Sequence, residues 1–65
     1  MRMNLETRTI YAYGLFVGCV LLNGYTITKL EVRGKMIHTI GQSDDGKSVK
    51  SHSFGYYEKV TVFKD

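Results

Sequence analysis

The chain reads as an all-β protein, a small antiparallel meander of five to six strands with a strongly curved sheet or small barrel. It forms one small β domain, residues 1–65. Three observations predict this. Two runs rich in β-branched and aromatic residues, "TIYAYGLFVGCVLL" and "YTITKLEV", flank Asn23-Gly24. Further glycine-bearing polar steps, "EVRGKMI" and "SDDGKS", punctuate the chain downstream. Near the C-terminus, Val60 and Val62 alternate with Lys59, Thr61 and Lys64, the period of a half-buried strand.

Taken in order, "ETRTIYAY" is strand-like and runs on or bends at Gly14. The following apolar run, Gly14 to Leu22, reads as a buried strand. Asn23-Gly24 offers both positive-φ positions of a two-residue type I′ turn, whose twist suits antiparallel strands. That register sets Leu22 opposite Tyr25, Val20 opposite Ile27 and Val17 opposite Leu30. In "EVRGKMI" a three-residue connection containing Gly34 brings Val32 opposite Met36. Asp45-Gly46 is the expected turn of a third hairpin, and "YYEKVTVF" supplies the last strand.

A competing reading comes from the same letters. Thr9 to Thr28 are twenty residues without a charge, and Gly14 and Gly18 form a G-x-x-x-G, so a single-span membrane microprotein is the alternative. Against it, "NGYTIT" is polar and turn-forming. The apolar part, Ile10 to Leu22, is only thirteen residues, a length typical of a buried segment. A soluble helix is disfavoured because Gly14 and Gly18 each cost about 1 kcal/mol relative to Ala.

Sixty-five residues lie near the lower limit for unaided folding, and one cysteine, Cys19, allows no disulfide framework. Apolar burial must hold the fold. One face is expected to carry Leu15, Val17, Cys19, Leu21, Leu30, Val32, Met36 and Ile40, with His38 among them. The other carries Phe16, Val20, Leu22, Tyr25 and Ile27 before turning polar at Lys29 and Glu31. That second apolar face predicts self-association, a homo-oligomer such as a dimer completing the sheet. OB-like and SH3-like small barrels are compatible with the strand count, on count alone.

Chemistry is sparse. His38 and His52 with Asp44 and Asp45 could hint at a metal or acid–base site, but nothing in the sequence places them together. Cys19 sits mid-strand, where a thiol is inert. Asp44-Asp45-Gly46 lacks the spaced ligands of a calcium loop, and no glycine pattern matches a phosphate-binding loop. No catalytic residue, metal ligand, cofactor or small-molecule substrate is assigned, and the chain is expected not to be an enzyme.

What remains is binding. Tyrosine and arginine are common interface anchors, so Tyr11, Tyr13, Tyr25, Arg33, Tyr56 and Tyr57 are the candidates for a protein partner. This is the leading reading: a small inhibitor or adaptor, of the stand-alone kind that phages and mobile elements encode. The alternative is single-stranded nucleic acid, gripped by Lys29, Arg33, Lys35, Lys47, Lys50 and His52 while aromatics stack on bases. The net charge of +3 is modest for that role, and "SFGYYEKVTVF" does not meet the aromatic-glycine pattern of RNA-binding domains. One cysteine and no leader-like cleavage pattern set a cytoplasmic location as the expectation.

Overall fold

A computed structural model describes residues 6–64. Five strands form: β1 (Thr7–Tyr11), β2 (Thr26–Arg33), β3 (Met36–Gln42), β4 (Val49–Gly55) and β5 (Lys59–Phe63). All pairings are antiparallel, in two sheets. The first is β1–β5 and the second β2–β3–β4. Only the second sheet is the expected meander. The expectation fails at the first strand, which pairs with the last, Thr7 opposite Phe63.

Residues 14–22 are not the long strand the sequence implied. After β1 the chain makes a short 3₁₀ turn, Ala12–Gly14, and a further turn before Val20. Within this stretch Val20 and Leu21 alone make β-bridges, and these two residues join the sheets. Val20 bridges Thr26 beside β2, and Leu21 bridges Val62 of β5. The order across the fold is therefore β1, β5, the Val20-Leu21 bridge, β2, β3, β4. Among the described residues β1 and β4 stay unjoined, so no closed barrel forms.

Asn23-Gly24 does reverse the chain, but by a different turn. Gly24 takes a positive φ of 91° and Asn23 does not, which excludes type I′. The Gly24 N–H donates to the Leu21 carbonyl at 2.9 Å, and the Leu21 N–H to Tyr25 at 2.9 Å. The result is a three-residue loop ending in a left-handed glycine. Val20 consequently meets Thr26 and not Ile27, and Leu22 points into solvent.

The second hairpin errs in the opposite sense. Arg33 pairs with Met36 across a two-residue turn, Gly34-Lys35, with Gly34 at φ 58°. Val32 thus faces Ile37 instead of Met36. A one-residue slip exchanges the two faces of a strand. Ile37 and Thr39 are each 1 % exposed, whereas Met36 and Ile40 of the expected core lie on the outer face. Val17 and Val32, also expected inside, are exposed.

Ile27 reaches the core by another device. Ile27 pairs with Gly41 but Lys29 with Ile40, leaving Thr28 as an extra residue in a bulge. Its hydroxyl donates to the Ile40 carbonyl at 3.2 Å. Inserting one residue shifts the alternation, so Ile27 and Leu30 contribute to the same interior. The core is Ala12, Leu15, Cys19, Leu21, Ile27, Ile37, Val60 and Val62, flanked by Ile10, Leu30, Phe54 and Tyr56. Each large member, once buried, contributes about 1.5–3 kcal/mol of transfer free energy. The third turn and the last strand follow the sequence reading, with Gly46 at φ 74° and both Val60 and Val62 buried.

Candidate functional site: a tyrosine cluster

The β1–β5 pairing brings the two ends of the chain together, and with them two tyrosine pairs far apart in sequence. Tyr11 closes β1 opposite Lys59, the first residue of β5. Tyr13 sits in the 3₁₀ turn just beyond it. Tyr56 and Tyr57 occupy the tight turn from β4 to β5, where the Glu58 N–H donates to the Gly55 carbonyl at 3.0 Å. Two backbone bonds fix the cluster in place: Ala12 N–H to the Glu58 carbonyl and Tyr56 N–H to the Lys35 carbonyl, each 2.7 Å.

The four rings touch. Tyr13 lies at the centre, stacked on Tyr11 at 5.3 Å between centroids and on Tyr56 at 5.2 Å. It meets Tyr57 edge-on at 5.9 Å, and Tyr56 and Tyr57 form a second edge contact at 5.1 Å. Such offset and edge geometries match the ring quadrupoles and add about 0.5–1.5 kcal/mol per pair. The Lys59 ammonium lies 5.9 Å from the Tyr11 centroid, a cation–π contact at the rim. Tyr56 is half-buried against the core, while Tyr13 is 49 % and Tyr57 71 % exposed. The cluster is anchored below and open above.

Four of the six residues expected to bind a partner are thus gathered in one place. The other two lie elsewhere. Tyr25 is beside the Asn23-Gly24 loop, edge-on to His52 at 6.4 Å with the Lys50 ammonium 5.3 Å above its ring. Arg33 is at the end of β2, where its Nε donates to the Glu31 carboxylate at 3.0 Å.

The six residues of the nucleic-acid alternative do not converge. Lys29 and Arg33 share the outer face of β2, whereas Lys50 and His52 pair with Gly41 and Thr39, on the inward face of the same sheet. Lys35 and Lys47 occupy the turns at opposite ends of β3. Lys29, Arg33 and His52 line one hollow, and Lys35, Lys47 and Lys50 lie outside its lining.

The histidines carry two arrangements that the sequence did not signal. His38 was expected inside, but the slipped register turns it outward, where its Nδ1 lies 2.9 Å from the Ser53 hydroxyl. His52 stacks on Phe54, 6.2 Å between centroids and 7° between planes, and its Nε2 faces the Asn23 amide. No group of three or more metal-binding side chains occurs among the described residues. No helix among them is long and apolar enough to cross a membrane.

Asp45 lies at the β3–β4 turn, and its carboxyl titrates below the ordinary aspartate value of 3.8. The Ser43 hydroxyl, 2.6 Å away, and then the Lys47 N–H, 3.0 Å away, hold the charged form. This is turn chemistry and lies away from the tyrosines.

Comparison with known proteins adds no kinship: no family model, no curated protein and no solved structure matches this chain.

Proposed function

We propose that the chain is a non-enzymatic protein-binding module, a small inhibitor or adaptor of the cytoplasm, that holds its partner through Tyr11, Tyr13, Tyr56 and Tyr57. One observation carries the reading: four tyrosines from both ends of the chain form a stacked, open cluster over a hydrogen-bonded backbone. A partner meeting such a surface loses little extra entropy, because the rings already restrain one another. Immobilising a free side chain at an interface costs about 0.5–1.5 kcal/mol. None of the four hydroxyls has a hydrogen-bond partner within the described residues, so each can serve a partner's backbone.

The partner surface that fits is an extended segment. Flat rings in sequence accept the flanks of a chain, proline rings especially, while phenolic hydroxyls reach its carbonyls. The test is affinity capture from a lysate with wild type and with a Y13A/Y57A double variant. A circular dichroism spectrum and urea melt of the double variant, compared with wild type, separate a lost contact surface from a lost fold. A stoichiometric partner held by wild type and lost by the variant is expected, a drop of about 30-fold for one 2 kcal/mol anchor. An identical captured set from both proteins overturns the reading.

Self-association remains a companion proposal, supported by Phe16 and Leu22, two members of the expected second face that stay exposed. Sedimentation that reads a monomer at every concentration removes it.

A further inference from the structure

The outer face of β2–β3–β4 is used by neither the core nor the tyrosine cluster. Register places Lys29, Ile40 and Ser51 in one row across the three strands, and Glu31, His38 and Ser53 in the next. Arg33 and Met36 begin a third row. Neighbouring strands lie about 4.8 Å apart and successive rows about 7 Å apart, so these side chains fall within reach of one small ligand. The face is hollowed, with a volume of about 310 Å³ lined by Lys29, Glu31, Arg33, His38, Ser51 and Ser53 over an Ile40 floor.

We propose that this hollow binds a phosphate monoester, with Lys29 and Arg33 as its cationic walls and the His38–Ser53 pair as its hydrogen-bond donor. Three features support that class. Lys29 has no carboxylate partner among the described residues. Arg33 spends its Nε on Glu31 at 3.0 Å, and its terminal nitrogens stay available for a planar, two-pronged contact with an oxyanion. The third is the histidine–serine pair, which always presents a hydrogen. If Ser53 donates to Nδ1, the ring's proton is on Nε2 and faces out. If Nδ1 donates to Ser53, the hydroxyl hydrogen is free instead. If the ring is protonated on both nitrogens, both donors are available. Ser51 adds another hydroxyl. Glu31 opposes binding, and its charge is countered by Arg33.

The probe is phenyl phosphate, titrated into the ¹⁵N-labelled chain, with inorganic phosphate and a thymidine decamer lacking a terminal phosphate as separate arms. Saturable shifts at the His38 ring and the Lys29, Ser51 and Ser53 amides are expected with phenyl phosphate and, more weakly, with inorganic phosphate. K29A and S53A should each weaken binding about tenfold, the scale of one charge-assisted hydrogen bond. E31Q should tighten it, and K47A, at the remote β3–β4 turn, should leave it unchanged. Shifts that never saturate overturn the proposal, as does an equal loss in K47A. Tighter binding of the decamer than of phenyl phosphate also overturns it, reassigning the face to a nucleic-acid backbone.

Discussion

Asn23 donates through its side-chain nitrogen to Nε2 of His52 at 3.1 Å. The direction is fixed, because the Asn23 Oδ1 already accepts the Tyr25 N–H at 3.1 Å, which forbids turning the amide over. Nε2 must then be the bare nitrogen, and the ring proton sits on Nδ1, which is buried without a partner among the described residues. Histidine ¹⁵N spectra should show the Nδ1–H tautomer for His52. Asn23→Asp keeps the acceptor for Tyr25 but offers Nε2 an acceptor in place of a donor, so the proton should move to Nε2. Asn23→Ala loses both bonds and should cost about 1–2 kcal/mol in denaturant unfolding. An Nε2–H signature in the wild type would refute this arrangement.

Gly41 and Gly24 should respond to alanine for different reasons. Gly41 has ordinary φ, but a Cβ there would stand 3.2 Å from the Tyr25 Cβ and 3.3 Å from the Thr26 carbonyl oxygen. Backbone on one side and a Cβ on the other leave little to give, so Gly41→Ala should cost about 1–3 kcal/mol through overpacking. Gly24 has open space, and its φ of 91° alone should penalise alanine by about 1–2 kcal/mol. Gly41→Ala should also move the Tyr25 ring resonances, which Gly24→Ala need not.

The face exchange in β3 can be checked with two isoleucines three residues apart. Ile37→Ala empties a fully buried site and should cost about 2–5 kcal/mol, enough to unfold much of a domain this small. Ile40 is 37 % exposed on the opposite face, and Ile40→Ala should cost less than about 1 kcal/mol. Equal losses in urea melts would return Ile40 to the interior.

Asp45 gives a directional pH effect. Its folded carboxyl is held below 3.8, first by the Ser43 hydroxyl and then by the Lys47 N–H. A lowered folded value means the unfolded state takes up the proton first as pH falls. The turn's contribution is therefore complete above the ordinary aspartate range and is lost as pH falls through the folded value. Carboxyl ¹³C titration should place Asp45 below a free aspartate. Ser43→Ala should raise it, and Asp45→Asn should remove its share of the acid dependence.

Much of the fold was legible where side chains dictate local geometry. Gly24, Gly34 and Gly46 marked real reversals, and Val60 and Val62 gave the last strand its inward face. Loop length was not legible, since Asn-Gly serves a two-residue turn and Gly-Lys a three-residue one equally well on paper. One residue of error at the Gly34 turn put Met36 and His38 in the interior in place of Ile37 and Thr39. The Thr28 bulge was equally silent, because an inserted residue in a strand carries no letter of its own. Four of the tyrosines were identified by type, as anchors. Their convergence depends on β1 meeting β5, whose paired residues run from Thr7 with Phe63 to Tyr11 with Lys59, a long-range contact that no local pattern reports.

That pairing of first strand with last also governs how the molecule comes into being. Thr7 waits for Phe63, so a ribosome-bound chain cannot complete this sheet until Phe63 has left the ribosome. The hairpins of the middle segment can collapse early, while ring closure between the extremities is the slow, entropy-limited step. Deleting Lys59–Phe63, the whole of β5, should therefore abolish the tyrosine surface while leaving the central hairpins able to form.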